Sequence, residues 1–100
     1  KTFPIKSYTK CFDYDKIINC LELRNRRTGD YLSISEDGKK KTIKEYFIEE
    51  KVPREQRDKV SLLADGNHIL WVVGMRIGEY YKITPNTKNI LQVTVLDKDE

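Results

Sequence analysis

Arg24, Arg26 and Arg27 fall within four positions of the chain, directly ahead of the turn residues Thr28-Gly29-Asp30. Two further basic groups follow: the run Lys39, Lys40 and Lys41 behind Gly38, and Arg54 with Arg57 behind Pro53. Arginine presents a planar fork of donors that fits a phosphate through two parallel bonds, whereas lysine offers a mobile point charge. The chemistry open to these side chains together is the binding of a polyanion. A short helix expected after Pro53 adds backbone N–H groups at its amino end that favour an anion. Tyr31, Tyr46 and Tyr80 can stack on bases, although the apolar neighbours of Tyr46 favour a core position. Two plainer roles and one further function stay open. The basic residues can lie on a solvated helix face, with Arg54–Asp58 and Glu55–Lys59 at i,i+4 spacing. They can hold the turn, with Asp30 clasping a preceding arginine, or they can form a protein-docking surface.

Catalytic chemistry is hard to assemble from these residues. A nucleophile beside a base, a tuned carboxylate pair, a metal cluster or a phosphate-cradling loop is the usual requirement. The sequence has neither a Gly-x-x-x-x-Gly-Lys loop nor a Gly-x-Ser-x-Gly elbow. His68 is the single histidine, and Cys11 and Cys20 lie far from it without Cys-x-x-Cys spacing. Soft ligands are therefore too few for a four-coordinate zinc site. Both cysteines read as buried or incidental thiols and His68 as a strand-edge residue. The expectation is a chain that catalyses nothing alone and needs no cofactor of its own.

The elements that must position the basic groups are a mixture of strands and short helices. "CLELRN" alternates, with Leu21 and Leu23 on one face and Glu22 and Arg24 on the other. "YLSIS" resumes the alternation after the Thr28-Gly29-Asp30 turn, predicting a hairpin joined through residues 25–30. Thr42 and Glu45 stand in capping-box register ahead of Ile43, Tyr46 and Phe47 at helical spacing. Pro53 stops that helix and opens a second one over "PREQRDKV". "SLLA" and "HILWVV" flank Asp65-Gly66-Asn67 and predict another hairpin, its second arm central in the sheet because it is apolar on both faces. "RIGEYYKI" and "ILQVTV" predict a last hairpin. The fold class expected is α+β: a small mixed or antiparallel sheet with one or two helices inserted between hairpins.

At 100 residues the chain has the size of one domain. Hydrophobic residues make up 38% and charged residues 35%, enough apolar sequence for a core without disulfides or a structural metal. The formal charge of +3 is uneven, since residues 24–59 carry eleven basic and eight acidic groups, while residues 60–100 carry four and five. The chain begins at Lys1, with Met75 its sole methionine, which reads as a processed or excised piece of a larger soluble protein. No apolar run approaches the roughly 18 residues needed to span a bilayer. The organisation expected is a lead-in over 1–19, a domain over 20–96 and a solvated tail over 97–100.

Three stretches together, "LRNRRTGDYLSI", "GKKKTIKEYFIEEKVPREQRD" and "LLADGNHILWVVGMRI", resemble the C-terminal domain of tRNA(Ile)-lysidine synthetase. The resemblance covers roughly residues 20–95. It rests on Gly29-Asp30, Gly38 with Lys39 to Lys41, Phe47, Pro53 with Arg57, and Trp71, Gly74 and Arg76 in order. Thr28 stands where the family commonly has proline. The resemblance implies a parent ligase that uses ATP with Mg, and lysine, to modify the wobble cytidine of tRNA(Ile) in the cytoplasm. Its adenylating site lies in an N-terminal domain with a Ser-Gly-Gly-x-Asp-Ser loop. The C-terminal domain is implied to hold the tRNA near the acceptor stem through Arg24, Arg26, Arg27, Lys39, Lys40, Lys41, Arg54 and Arg57. Phe47, Trp71 and Gly74 are assigned to packing. A related module in the β-chain of phenylalanyl-tRNA synthetase gives a precedent in the same fold class. The alternative expectation is a docking or homodimerisation module, carried by the apolar strands of residues 61–95.

Overall fold

The structure, a computed structural model, describes residues 5–98. Eight strands follow in order: β1 (Ile5–Asp13), β2 (Leu21–Arg24), β3 (Tyr31–Ser33), β4 (Lys40–Thr42), β5 (Leu62–Asp65), β6 (His68–Val72), β7 (Arg76–Ile77) and β8 (Ile90–Lys98). Two helices, α1 (Ile43–Glu49) and α2 (Arg54–Arg57), lie between β4 and β5, and single 3-10 turns occupy Tyr14–Lys16 and Glu79–Tyr81. The central sheet runs β2-β5-β6-β3-β4, with β7 also on β6. Every pairing in it is antiparallel except β3 with β6, so the sheet is mixed, and the α+β class holds. Strands β1 and β8 form a separate antiparallel ribbon from Ile5↔Lys98 to Asp13↔Ile90.

The sheet is buried on both faces because β5 and β6 alternate between two apolar clusters. Leu62, Ala64, Ile69 and Val72 pack with Ile43, Tyr46 and Phe47 of α1. Leu63, Leu70 and Trp71 point the other way and pack with Phe12, Tyr81, Tyr8, Val93 and Val95, most of them from the ribbon. Two neighbours, Leu70 and Trp71, share a face because the pairing jumps from Leu63↔Trp71 to Ala64↔Ile69. That bulge adds one residue to β6 and re-aims the strand. The Leu70 carbonyl then accepts from the Gly78 N–H at 2.7 Å. A Cβ on Gly78 would lie 2.8 Å from the Ile69 carbonyl oxygen, so only glycine permits this approach.

Helix α1 begins as its sequence requires. Thr42 Oγ1 accepts from the Glu45 N–H at 3.1 Å, and Glu45 Oε1 accepts from the Thr42 N–H at 3.1 Å. It ends before Pro53, in a left-handed residue, Lys51, at φ 56°. The Lys51 N–H reaches Ile48 O at 3.1 Å and the Val52 N–H reaches Phe47 O at 3.0 Å. This is the paired capping of a Schellman motif, with lysine where glycine is usual.

Four expectations change. Strands β2 and β3 are not a hairpin, because the β5–β6 hairpin sits between them. Leu21 and Leu23 are exposed rather than half-buried, since β2 is an edge strand. "ILQVTV" pairs with β1 and not with "RIGEYYKI", whose first two residues join β6 instead. The boundary at 19/20 cuts a packed unit, as β1 supplies Phe12 to the core, and the tail over 97–100 begins inside β8. The β5–β6 hairpin and the central place of β6 agree with the sequence reading. Among the described residues no helix is long and apolar enough to cross a membrane.

Candidate nucleic-acid interface

The arginine-rich turn is organised from the inside by Asp30, which is 2% exposed. Its two carboxylate oxygens accept from the Arg24 guanidinium at 2.8 Å each, from the Arg27 backbone N–H at 2.7 Å and from Asn67 Nδ2 at 3.0 Å. Burial alone would push this carboxyl up, but the bonds from Arg24, Arg27 and Asn67 outweigh it and hold Asp30 below the usual carboxylate range. Arg24 also donates to the carbonyls of Asn25 and Gly66 at 2.9 Å each. Its Nε has Glu22 at 3.5 Å and no hydrogen-bond acceptor. With its side chain 7% exposed, Arg24 faces the protein interior. The assignment of Arg24 to the RNA-facing set is therefore corrected: Arg24 is the clasp that shapes the turn.

The clasp leaves Arg26 and Arg27 outside. Together with Lys44, Thr28 and Thr42 they line a cleft of about 490 Å³ between the turn and the start of α1. Arg27 is 61% exposed and meets Glu22 at 3.3 Å. Arg26 donates through Nε to Asp58 at 2.8 Å. Solvated pairs of this kind contribute little, so a phosphate can displace the carboxylates. Asp58 itself answers Arg26, not the Arg54 expected from i,i+4 spacing. Lys44 was missed by the sequence reading. Its signal was its place beside Glu45 in the polar gap between the apolar residues Ile43 and Tyr46 of α1.

The other basic positions disperse. Lys39 is exposed in the turn before β4, and Lys41 is tied to Glu49 of α1. The Lys40 ammonium lies 4.9 Å from the centre of the Tyr31 ring. Arg57 is half-buried and donates to the Val52 carbonyl at 2.9 Å, while Arg54 is exposed. Helix α2 is a single turn of four residues, so the helix amino end expected to attract an anion is too short to do so. Tyr46 is buried as expected. Tyr31 and Tyr80 instead flank His68, which opens β6 at the edge of that strand, as expected. Cys11 is half-buried and Cys20 exposed, both as free thiols. Among the described residues no three of His, Cys, Asp and Glu gather to hold a metal.

Comparison with known proteins agrees with this architecture. The family model described as "TilS substrate C-terminal domain" matches residues 21–94. The tRNA(Ile)-lysidine synthase of Clostridium tetani is 45% identical over 94 residues, covering 93% of this chain and 20% of the relative. That of Caldanaerobacter subterraneus subsp. tengcongensis is 46% identical over 87 residues, covering 86% and 18%. The chain thus spans about a fifth of the length of these curated relatives. A solved structure, "Crystal structure of TILS C-terminal domain", superposes with a TM-score of 0.71 over 96% of this chain and 84% of that one. At 24% identity that likeness speaks for the fold alone. With the family model spanning β2 to β8 and relatives this similar, the chain belongs to the TilS substrate C-terminal domain family.

Proposed function

We propose that this domain holds a tRNA, tRNA(Ile) in the enzyme for which its relatives are named, while another part of the parent protein ligates lysine to the wobble cytidine. ATP, Mg and lysine belong to that other part, and the domain itself is non-catalytic. It grips a helical stem on the acceptor side through phosphates and 2′-hydroxyls, because A-form RNA hides its base edges in a deep groove. Contacts of this kind position a substrate without reading every base. The observation that carries the reading is the cleft beside the locked turn, where Arg26, Arg27 and Lys44 converge on solvent. A turn fixed by the Asp30–Arg24 clasp presents these donors with little entropy left to lose.

The test is the binding of this chain to a tRNA(Ile) transcript by fluorescence anisotropy. The double variant R26A/R27A is expected to bind roughly tenfold or more weakly with unchanged circular dichroism. Its dependence of log affinity on log salt should flatten by about 0.7–0.9 for each phosphate that is no longer neutralised. Unchanged affinity and salt slope in the double variant would refute the reading. A second reading, association of two copies, is favoured by edge strand β2, which exposes Leu21 and Leu23 and pairs on one side only among the described residues. Sedimentation decides it: a monomer at high concentration removes that reading.

A further inference from the structure

Resting on the proposal that the ligand is RNA, we infer that a second cleft, walled by the stacked rings of Tyr31, His68 and Tyr80 and flanked by Lys16 and Lys40, is a binding site for an unpaired nucleotide. The three side chains come from residues far apart in sequence and meet as a column. Tyr31 and His68 stack with ring centres 4.6 Å apart and planes 22° apart, and His68 and Tyr80 at 5.2 Å and 29°. Tyr81 closes the side of the column, edge-on to Tyr80 at 4.9 Å and 86°. The column is tied to the sheet by Ser33 Oγ, 2.7 Å from His68 Nε2. Its outer end is open to water, with Tyr80 47% exposed. Once the Lys16 ammonium turns from the Tyr80 ring to a phosphate, that ring, flat against a neighbour and wet at its outer end, is a surface on which an unpaired base stacks.

The flanking charges suit the rest of a nucleotide. The Lys16 ammonium stands 5.1 Å from the centre of the Tyr80 ring and donates to the Tyr80 carbonyl at 3.0 Å. That leaves two of its three hydrogens for phosphate oxygens. Lys40 occupies the matching place over Tyr31, at the other end of the column. The space between them, about 510 Å³, lies within the range that takes a small ligand. One acidic group lines it, Asp65. That carboxylate is 3% exposed and already accepts from Tyr81 Oη at 2.8 Å and from the backbone of Ile18 and Asn19 at 3.2 and 2.7 Å. Burial and the nearby Lys40 both push the His68 imidazole down, so the ring between the two tyrosines is favoured in its neutral form.

The site also continues from the first cleft. Asp30 lines one and Tyr31, the next residue, lines the other. Asn67 bridges them, lining the second while donating to Asp30 at 3.0 Å. A stem held at Arg26 and Arg27 can therefore send its single-stranded continuation across Asn67 to Tyr80. Neither a docked protein nor a free phosphate needs a stack of this kind.

The experiment compares two RNAs on this chain by anisotropy, a blunt stem-loop and the same stem-loop with four unpaired 3′ nucleotides. The extension is expected to tighten binding, and Y80A to remove about five- to hundredfold of that gain without changing affinity for the blunt stem. Y80F keeps a ring and retains the gain. In parallel, the four-nucleotide RNA alone is titrated while the ring resonances of His68 and Tyr80 are followed by NMR. Shifts of the His68 ring that vanish in Y80A, and that Y80F retains, support the site. An extension that adds nothing to the wild type, a gain that survives Y80A, or resonances indifferent to the short RNA would each overturn it. Failure of the blunt stem to bind, with the resonances still responding, overturns the stem-holding proposal alone.

Discussion

Replacing Asp30 with asparagine isolates the Arg24 clasp, because the side chains are nearly the same size and only the charge and one acceptor are lost. The two partners are buried, with side chains 7% and 1% exposed, so water cannot take over the guanidinium. The new amide would also turn an N–H₂ toward the Arg24 donors. Removing one partner of a buried pair costs about 3–5 kcal/mol, since the other charge stays behind unpaired. Such a loss is a large fraction of the roughly 5–15 kcal/mol available to a small domain. With about 4–8 °C per kcal/mol for a chain of this size, D30N is expected to melt at least about 12 °C lower. The assay is urea unfolding followed by the fluorescence of buried Trp71, with R27A as the surface control, expected within about 0.5 kcal/mol of the wild type. The sign with pH follows from the depressed carboxyl of Asp30. Its contribution is present above the unfolded carboxylate pKa and is lost as pH falls through the lower folded value. In D30N that acid-side loss should shrink. A D30N chain within about 1 kcal/mol of the wild type, with an unchanged acid limb, would refute the clasp as the element that fixes the turn.

Two more outcomes follow from the geometry. Lys51 caps α1 at φ 56°, a conformation that costs a side-chain-bearing residue about 1 kcal/mol, so K51G is expected to stabilise by about 0.5–1 kcal/mol in the same urea assay; any loss of stability refutes the strain. His68 is held neutral by burial first and by Lys40 second, so its folded pKa lies below its unfolded value. The stability it confers is complete above about pH 6.5 and declines as pH falls through the folded pKa. An NMR titration of the imidazole should place its midpoint below about 6.5, and H68Q should remove that part of the acid decline.

The parts legible in the sequence were those whose causes are local. Thr42 and Glu45 announced α1 by spacing alone, and Asp65-Gly66-Asn67 between two apolar runs announced the β5–β6 hairpin. Partner choice was not local. Leu21 and Leu23 alternate like residues of a half-buried strand, yet β2 lies at the edge, where Leu21, Glu22 and Leu23 all meet solvent. The face shared by Leu70 and Trp71 depends on a bulge that no spacing rule indicates. At the candidate site the arginine cluster was visible, but its division of labour was not. Arg24 and Arg27 look alike in the chain, and what separates them is the convergence of Asp30 and the Gly66 carbonyl on the first. Tyr31 and Tyr80 were singled out as base-stacking side chains, while His68 between them was not, because the column exists only after the parallel pairing of β3 with β6.

The ribbon of β1 and β8 has a consequence for how the molecule assembles. Thr9 and Thr94, which share a hydrogen bond, are 85 positions apart. Contacts between such distant segments form slowly, because loop closure must be completed before they give anything back. The face carrying Phe12, Trp71 and Tyr81 therefore stays uncovered until β8 arrives, after every other described element has been made. The same register leaves Ile5 opposite Lys98, so a short splice there, with new termini opened at the Asp37-Gly38 turn, should yield a circular permutant that reaches the same fold by a different order of events.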